Sequence, residues 1–386
     1  MIGQRLRQAR LAAALSLEEL ASGLHRPVTK QALSKYEKGQ TEPTASMIMD
    51  LARVLRVRPS FLLSEPEVSV SWVGFRKHSR LTERDQEAMT AIATKRLEGE
   101  LRIRSLFRVG LDHSLPRGVT VQDGVSAEDA ASKVREKWGL GTLPVTGTIG
   151  TIEDHGGIVL SWKERRGFDG LSGWTDEGSP VIVINASGTS DRRRFDAAHE
   201  LGHLVMAPKT EPDQYEPLAH RFAAAFLVPR DEALRELGER RRSLSIQELG
   251  LLKERWGFSM QAWVRRALDL GVIDSAEYKR LNIEFRSRGW HRNEPYSYEG
   301  IEEPVLLRRL IWRALTEGII SQSEASELCP EFEFEREPKM ESGRMSLREL
   351  ARMNRGQRDQ ALSKAHFEVD PEEVRAWDAV LADGID

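Results

Sequence analysis

Residues 199–203 read His-Glu-Leu-Gly-His. On a helix, side chains four apart share a face, so His199 and His203 can point at one cation. Glu200, beside the first of them, leans toward an open coordination position. Two neutral imidazoles suit Zn²⁺, and a hydrolytic site keeps one position for water. Glu200 would take a proton from that water and pass it to a leaving amine. Three fixed positions in five recur by chance, and a catalytic zinc site also needs a third protein ligand. The arrangement with Gly three residues and His six residues beyond the second His is absent, because position 206 is Met and position 209 is Lys. A following helix offers Glu216 and, one turn on, His220, with Pro217 fitting its first turn. Either could ligate while the other supports it. The plain alternatives are an anion satisfying a helix dipole for Glu216 and a capping or packing residue for His220.

These side chains need a scaffold. Residues 157–162, 171–174 and 181–184 are short apolar runs that predict strands, with Pro180 where a strand tolerates it. Ser126 opens a helix with a capping pattern that runs to Trp138. Residues 126–230 therefore predict an α+β domain, a small sheet backed by helices. Residues 231–330 predict a helical extension of that domain. Within it, residues 245–290 again contain a helix, turn, helix reading, with Ser259 capping the second; the alternative is a second DNA reader, but Met260, Trp263 and Leu268 read as core. Residues 301–330 and 345–386 predict amphipathic helices, and residues 331–337 a linker. The final segment, with Leu347, Leu350, Ala351, Val374, Trp377 and Leu381, reads as a helix docked on its own chain or as a partner helix.

The N-terminal stretch has a different texture. Residues 2–13 predict an amphipathic helix burying Ile2, Leu6, Ala9 and Ala13. Ser16 and Glu19 form a capping box for a short second helix that ends near Gly23. A turn through His25-Arg26-Pro27 leads to a third helix over 29–37, closed by Gly39. A fourth follows Pro43, and Pro59 starts a last turn. Short helix, turn, short helix within residues 1–64 is a helix-turn-helix plan; the plain alternative is a small helical bundle. Thr29, Lys30, Gln31, Ser34 and Lys35 populate the outer face of the third helix, where Gln suits adenine and Ser or Lys reach bases or phosphates. Arg5 and Lys38, with Gln4, Arg7 and Arg10, are phosphate candidates. Val28, Leu33 and Tyr36 read as core. Residues 65–125 read as a charged linker, helical from Leu81 to Phe107.

Length and composition agree. A chain of 386 residues with 40% hydrophobic content holds two or three domains. With Lys+Arg at 57 and Asp+Glu at 60, the net charge of −3 excludes a uniformly basic chain but not a basic patch. The single Cys329 forms no internal disulfide and no Cys-based zinc cluster, which points to the cytoplasm. No apolar run approaches the roughly 18 residues of a membrane helix, and the N-terminus lacks the pattern of a secretion signal.

Two resemblances sharpen this reading. Residues 16–57, SLEELASGL followed by VTKQALSKYEKGQTEPTASMIMDLARVLRV, resemble the phage-repressor-like (Cro/CI, XRE) helix-turn-helix family, with the likeness extending over residues 3–63. The turn is longer than usual for that family because of His25-Arg26-Pro27. The resemblance implies double-stranded operator DNA as a partner and a homodimer on two half-sites. RRRFDAAHELGHLV followed by EPLAHRFAAAFLVP is similar to the ImmA/IrrE family of zinc-dependent metallopeptidases, from about Val145 to Pro229. That similarity implies zinc held by His199, His203 and Glu216, and Glu200 as general base. His220 stands where the family often has Asn, as an alternate ligand or transition-state donor. Tyr215 is a weaker candidate for oxyanion stabilisation. Asp196 and Ala207 depart from the family's usual residues.

The fold class expected is therefore multidomain and mainly α, with a helix-turn-helix bundle, a zincin-like α+β domain and a helical C-terminal region. The function expected is a DNA-binding regulator whose zinc peptidase body cuts a regulator protein, partner or self. The alternative is a non-enzymatic repressor or antitoxin-like protein whose metal site is structural or a sensor.

Overall fold

The N-terminal helices begin where their caps lie. The computed structural model describes residues 2–66, 68–73, 82–109, 114–162, 168, 170–211 and 214–329. Its first five helices are α1 (Ile2–Ala12), α2 (Leu17–Gly23), α3 (Lys30–Glu37), α4 (Ala45–Val54) and α5 (Pro59–Leu63). Ser16 and Glu19 close a capping box on α2, Thr29 caps α3 and Thr44 caps α4. Gly39 follows α3 at φ +67°, a conformation that only a residue without Cβ takes freely. Leu6, Leu20, Leu33, Leu51 and Leu62 are wholly buried and form one core, with Val28 and Tyr36 packed at its edge. Ala13, expected on the buried face of α1, is exposed because the helix stops one residue earlier.

The stretch expected as a charged linker does more. Residues 65–125 supply strand β1 (Val70–Trp72), the 25-residue α6 (Glu83–Phe107) and strand β2 (Val119–Val121). After them come α7 (Gly124–Lys137), α8 (Thr148–Asp154), β3 (Ile158–Trp162), β4 (Gly170–Thr175), β5 (Pro180–Asn185), α9 (Ser190–Val205), β6 (Met206–Pro208) and α10 (Tyr215–Leu227). Asp123, not Ser126, caps α7; Ser126 is the reciprocal residue three positions on. The main sheet has the order β1-β4-β5-β3, with β3 parallel to β5 and β4 antiparallel to both its neighbours. β2 and β6 form a separate parallel pair.

The main sheet is covered on both faces, which is why its inner strands read as continuous apolar runs. Ile158, Leu160, Leu171, Val181 and Val183 pack with Met89, Ala93 and Leu97 of α6. Val159, Trp174, Ile182 and Ile184 share the other core with Ala197, Ala198 and Leu201 of α9. α6 also packs against α1, so one long helix serves both the N-terminal bundle and the sheet. The contact closes on a buried pair: Arg5 Nη1 donates to Glu98 Oε2 at 2.6 Å, and its other nitrogen donates to the Glu65 carbonyl.

The helical extension comprises α11 (Arg230–Leu237), α12 (Ile246–Trp256), α13 (Met260–Asp269), α14 (Ser275–Ser287), α15 (Leu306–Thr316) and α16 (Gln322–Leu328). Met260 and Trp263 are buried in the same core as α9, and Leu268 packs at its edge. Buried charges here are paired, as a low-dielectric interior requires. Arg266 makes a two-pronged bond to Glu128 at 2.8 and 3.0 Å, and Lys253 lies 3.1 Å from Asp191 and 2.8 Å from Glu294. Residues 301–305 are not helical; Glu302 accepts from the amides of Thr148 and Ile149, and Glu153 from those of Val305 and Leu306. The expected linker and C-terminal helix of residues 331–386 lie outside the described residues. Among the described residues no helix is long and apolar enough to cross a membrane.

Candidate metal centre and candidate DNA face

Two helices build the centre. α9 starts at Thr189 and carries His199 and His203 one turn apart near its C-terminal end. α10 buries Leu218, Ala219 and Phe222 and presents Glu216 in its first turn. The helices approach closely at Gly202, where a Cβ would sit 2.9 Å from Phe222 Cδ1. That approach brings Glu216 to the histidines: His199 Nε2 lies 3.1 Å from Glu216 Oε2 and His203 Nε2 lies 3.5 Å from Glu216 Oε1. The two Nε2 atoms are 3.1 Å apart.

These separations suit a shared ion. Three atoms bound at about 2.0–2.2 Å in tetrahedral array lie about 3.3–3.6 Å from one another. Without a cation or a shared proton, two imidazole lone pairs at that range repel. Hydrogen bonds from His199 and His203 hold the Glu216 carboxyl well below its usual range. Burial pulls His199 down to about 4, so its imidazole is neutral at pH 7. For His203, burial works against the cation, but the Glu216 hydrogen bond and the charges of Glu200 and Glu216 outweigh it and raise its pKa. A charged carboxylate and a neutral imidazole are the forms that ligate metals.

His220 joins from α10. Its Nδ1 bonds the Glu216 carbonyl at 2.8 Å, which makes Nδ1 the donor and leaves Nε2 as acceptor. Its ring lies 4.5 Å from that of His199, and donor atoms of His199, Glu216 and His220 fall within 4.8 Å of one another. Tyr215 is half-buried at the first residue of α10; among the described residues its hydroxyl makes no hydrogen bond to this cluster. Asp196 is buried and pairs with Arg192 at 2.9 Å along α9.

Glu200 points at the sheet. It is buried, and its Oε2 accepts from Ser172 Oγ of β4 at 2.7 Å. Neither Ser172 nor Gly170 was singled out by the sequence reading. Their signal is two small residues at alternate positions of a strand, on one face.

The candidate DNA face is on α3. Thr29, Lys30, Gln31, Lys35 and Lys38 are exposed and Ser34 is half-buried. The Thr29 hydroxyl is occupied as the helix cap, accepting from Ala32 N. Lys30 stands 3.5 Å from Glu18 on α2. Arg5 is a correction: expected on a phosphate, it is 2% exposed and committed to Glu98. Arg10 is likewise turned inward, onto Glu37 at 2.6 Å. Arg7 is exposed and lies 3.3 Å from Glu87, and Gln4 is exposed.

Comparison with known families agrees with this division. Residues 6–62 match the family described as helix-turn-helix. Residues 162–268 match a peptidase family described as the IrrE N-terminal-like domain. The second match begins later than Val145 and runs beyond Pro229, so it takes in α11 to α13. No curated protein matches the chain.

Proposed function

From a chain that joins a helix-turn-helix head to an IrrE N-terminal-like body, we propose a DNA-binding transcriptional regulator whose body is a zinc-dependent endopeptidase acting on a regulator protein, either a partner or this chain itself. The observation that carries the enzymatic half is the convergence of His199 Nε2, His203 Nε2 and Glu216 Oε within 3.1–3.5 Å. Two imidazoles and one carboxylate are a donor set suited to Zn²⁺ with one position left for water. When bound, the ion supplies Lewis acidity toward a peptide carbonyl and toward water.

The chain's own residues do the rest. Glu200 accepts a proton from the attacking water as its oxygen bonds to the carbonyl carbon. It then delivers that proton to the amine as the C–N bond breaks. As the imidazolium, His220, held through Nδ1, donates from Nε2 to charge developing on the carbonyl oxygen, with Tyr215 as a weaker second candidate. The head binds operator DNA as a homodimer through Gln31, Ser34, Lys30, Lys35 and Lys38, with Thr29 setting the start of the reading helix.

A second reading has its own observation. A donor atom of His220 lies within 4.8 Å of donor atoms of His199 and Glu216; together with His203 it would close the set, leaving no position for water and making the metal structural or a sensor. The test is zinc content of the purified protein beside His199→Ala and Glu216→Ala, then incubation with candidate repressors. One zinc per chain lost in both variants, with cleavage that vanishes in Glu200→Gln, supports the peptidase. Zinc held by the wild type but lost in His220→Ala, with no cleavage by either, supports the closed site. No zinc uptake by the wild type sinks both.

A further inference from the structure

We propose that Ser172 is a positioning residue for Glu200, fixing the carboxylate that carries the proton; this rests on the reading of Glu200 as general base. Ser172 is wholly buried, and its hydroxyl donates to Glu200 Oε2 at 2.7 Å across the interface between β4 and α9. A long acidic side chain beside two metal ligands has several rotamers, and only a narrow set serves proton transfer. A hydroxyl donor on a fixed strand selects among them.

The strand is fixed from both sides. Ser172 pairs with Ile182 of β5, and its carbonyl accepts from Val73 N at 2.8 Å, just beyond β1. Two residues earlier on the same face, Gly170 clears the space for the carboxylate. A Cβ there would sit 2.8 Å from Glu200 Cγ and 2.9 Å from Cδ. Donor on one side and vacant Cβ position on the other shape a slot for one carboxylate orientation.

The test uses acetohydroxamic acid on the zinc-loaded full-length protein. This chelator sheds a proton when it binds a metal, so its affinity reports on the base that receives the proton. Calorimetry would compare the wild type with Ser172→Ala, Ser172→Thr, Gly170→Ala and Glu200→Gln, with zinc content and melting temperature measured on each. Expected is a loss in affinity on the order of tenfold for Ser172→Ala, recovery in Ser172→Thr, and unchanged zinc and melting in both. Gly170→Ala, which crowds the carboxylate while leaving the hydroxyl in place, is expected to weaken binding too, and it decides the matter if Ser172→Ala does not fold. Wild-type affinity in Ser172→Ala, or in Gly170→Ala where that variant decides, overturns the role of Ser172 when Glu200→Gln is weakened. Wild-type affinity in Glu200→Gln overturns the general-base reading and the positioning role together. Zinc lost from Ser172→Ala overturns positioning in favour of a structural tie.

Discussion

The candidate DNA face and the candidate metal centre are built on opposite plans. The DNA face lies on consecutive turns of one helix, with its working side chains exposed and its shape set by local caps at Thr29 and Gly39. The candidate metal centre takes its groups from α9, α10 and β4; Glu200 and Ser172 are buried, His199, His203 and Glu216 are half-buried, and His220 is exposed. A site of the first kind tolerates substitution with the fold intact, because each side chain contacts solvent until a ligand arrives. A site of the second kind is coupled to packing: the Gly202–Phe222 approach that sets the His–Glu separations is itself core. The difference predicts where stability and function separate and where they do not.

The sharpest contrast is in the metal ligands. His199→Ala or Glu216→Ala is expected to abolish stoichiometric zinc binding, and with it the rise in melting temperature that zinc gives the wild type. Gln31→Ala is expected to leave both unchanged. Metal analysis and thermal melts with and without zinc check this, and zinc-dependent stabilisation surviving in Glu216→Ala would break the comparison.

Next is the junction between the two regions. Arg5 and Glu98 form an ion pair whose side chains are 3% and 10% exposed, between α1 and α6. Arg5→Ala removes the guanidinium and leaves the carboxylate buried, at a cost of about 3–5 kcal/mol. Replacing both, as Arg5→Met with Glu98→Leu, is expected to cost much less, since neither charge is then stranded. Urea melts of the three variants measure the difference. A loss under about 1 kcal/mol for Arg5→Ala would mean that the head is tethered rather than docked.

A smaller effect follows from Glu153, behind the sheet. Burial, together with the charge of Glu100, raises its carboxyl to about 7. A raised carboxyl makes the folded state bind its proton more tightly than the unfolded chain. Its stabilising contribution is therefore full below the unfolded value near 4.5 and is lost as pH rises through 7. Glu153→Gln keeps an acceptor for the amides of Val305 and Leu306 and cannot ionise. It is expected to match the wild type at pH 4 and to exceed it by about 3 kcal/mol at pH 8. Denaturant midpoints at the two pH values decide it; a difference that does not grow with pH removes Glu153 as the titrating group.

The two plans also explain what the sequence could disclose. Local signals worked where the structure is local: the capping box at Ser16 and Glu19, the glycine stop at Gly39, the four-residue spacing of His199 and His203. Glu216 and His220 were both legible as candidates because their helix follows within one loop of the first. Ser172 was not, because nothing in a strand marks which helix side chain will meet its hydroxyl 28 positions later. Arg5 was misplaced for the same reason. A basic residue on the first helix suits a phosphate until Glu98, 93 positions away, takes it. β1 was missed although Val68-Ser69-Val70-Ser71-Trp72 alternates apolar and polar, because the run is short, lies in a charged stretch and becomes a strand by pairing with β4.

The smallest predicted effects belong to the exposed face. Lys35 is exposed on the outer side of α3 and, acting on a phosphate, contributes little to sequence preference. Lys35→Ala is expected to weaken binding to operator and to unrelated DNA alike, and to lower the slope of log affinity against log salt by about 1. Gln31 is exposed in the first turn of the same helix and is the residue proposed for a base edge. Gln31→Ala is expected to cost about 1–3 kcal/mol on the operator and almost nothing on unrelated DNA, with the salt slope unchanged. Fluorescence anisotropy titrations at two salt concentrations, on both DNAs, separate the two roles. Since neither side chain supports the core, the melting temperatures of both variants should equal that of the wild type. A uniform loss in Gln31→Ala would assign that residue to the backbone and move base reading to Lys30 or Ser34.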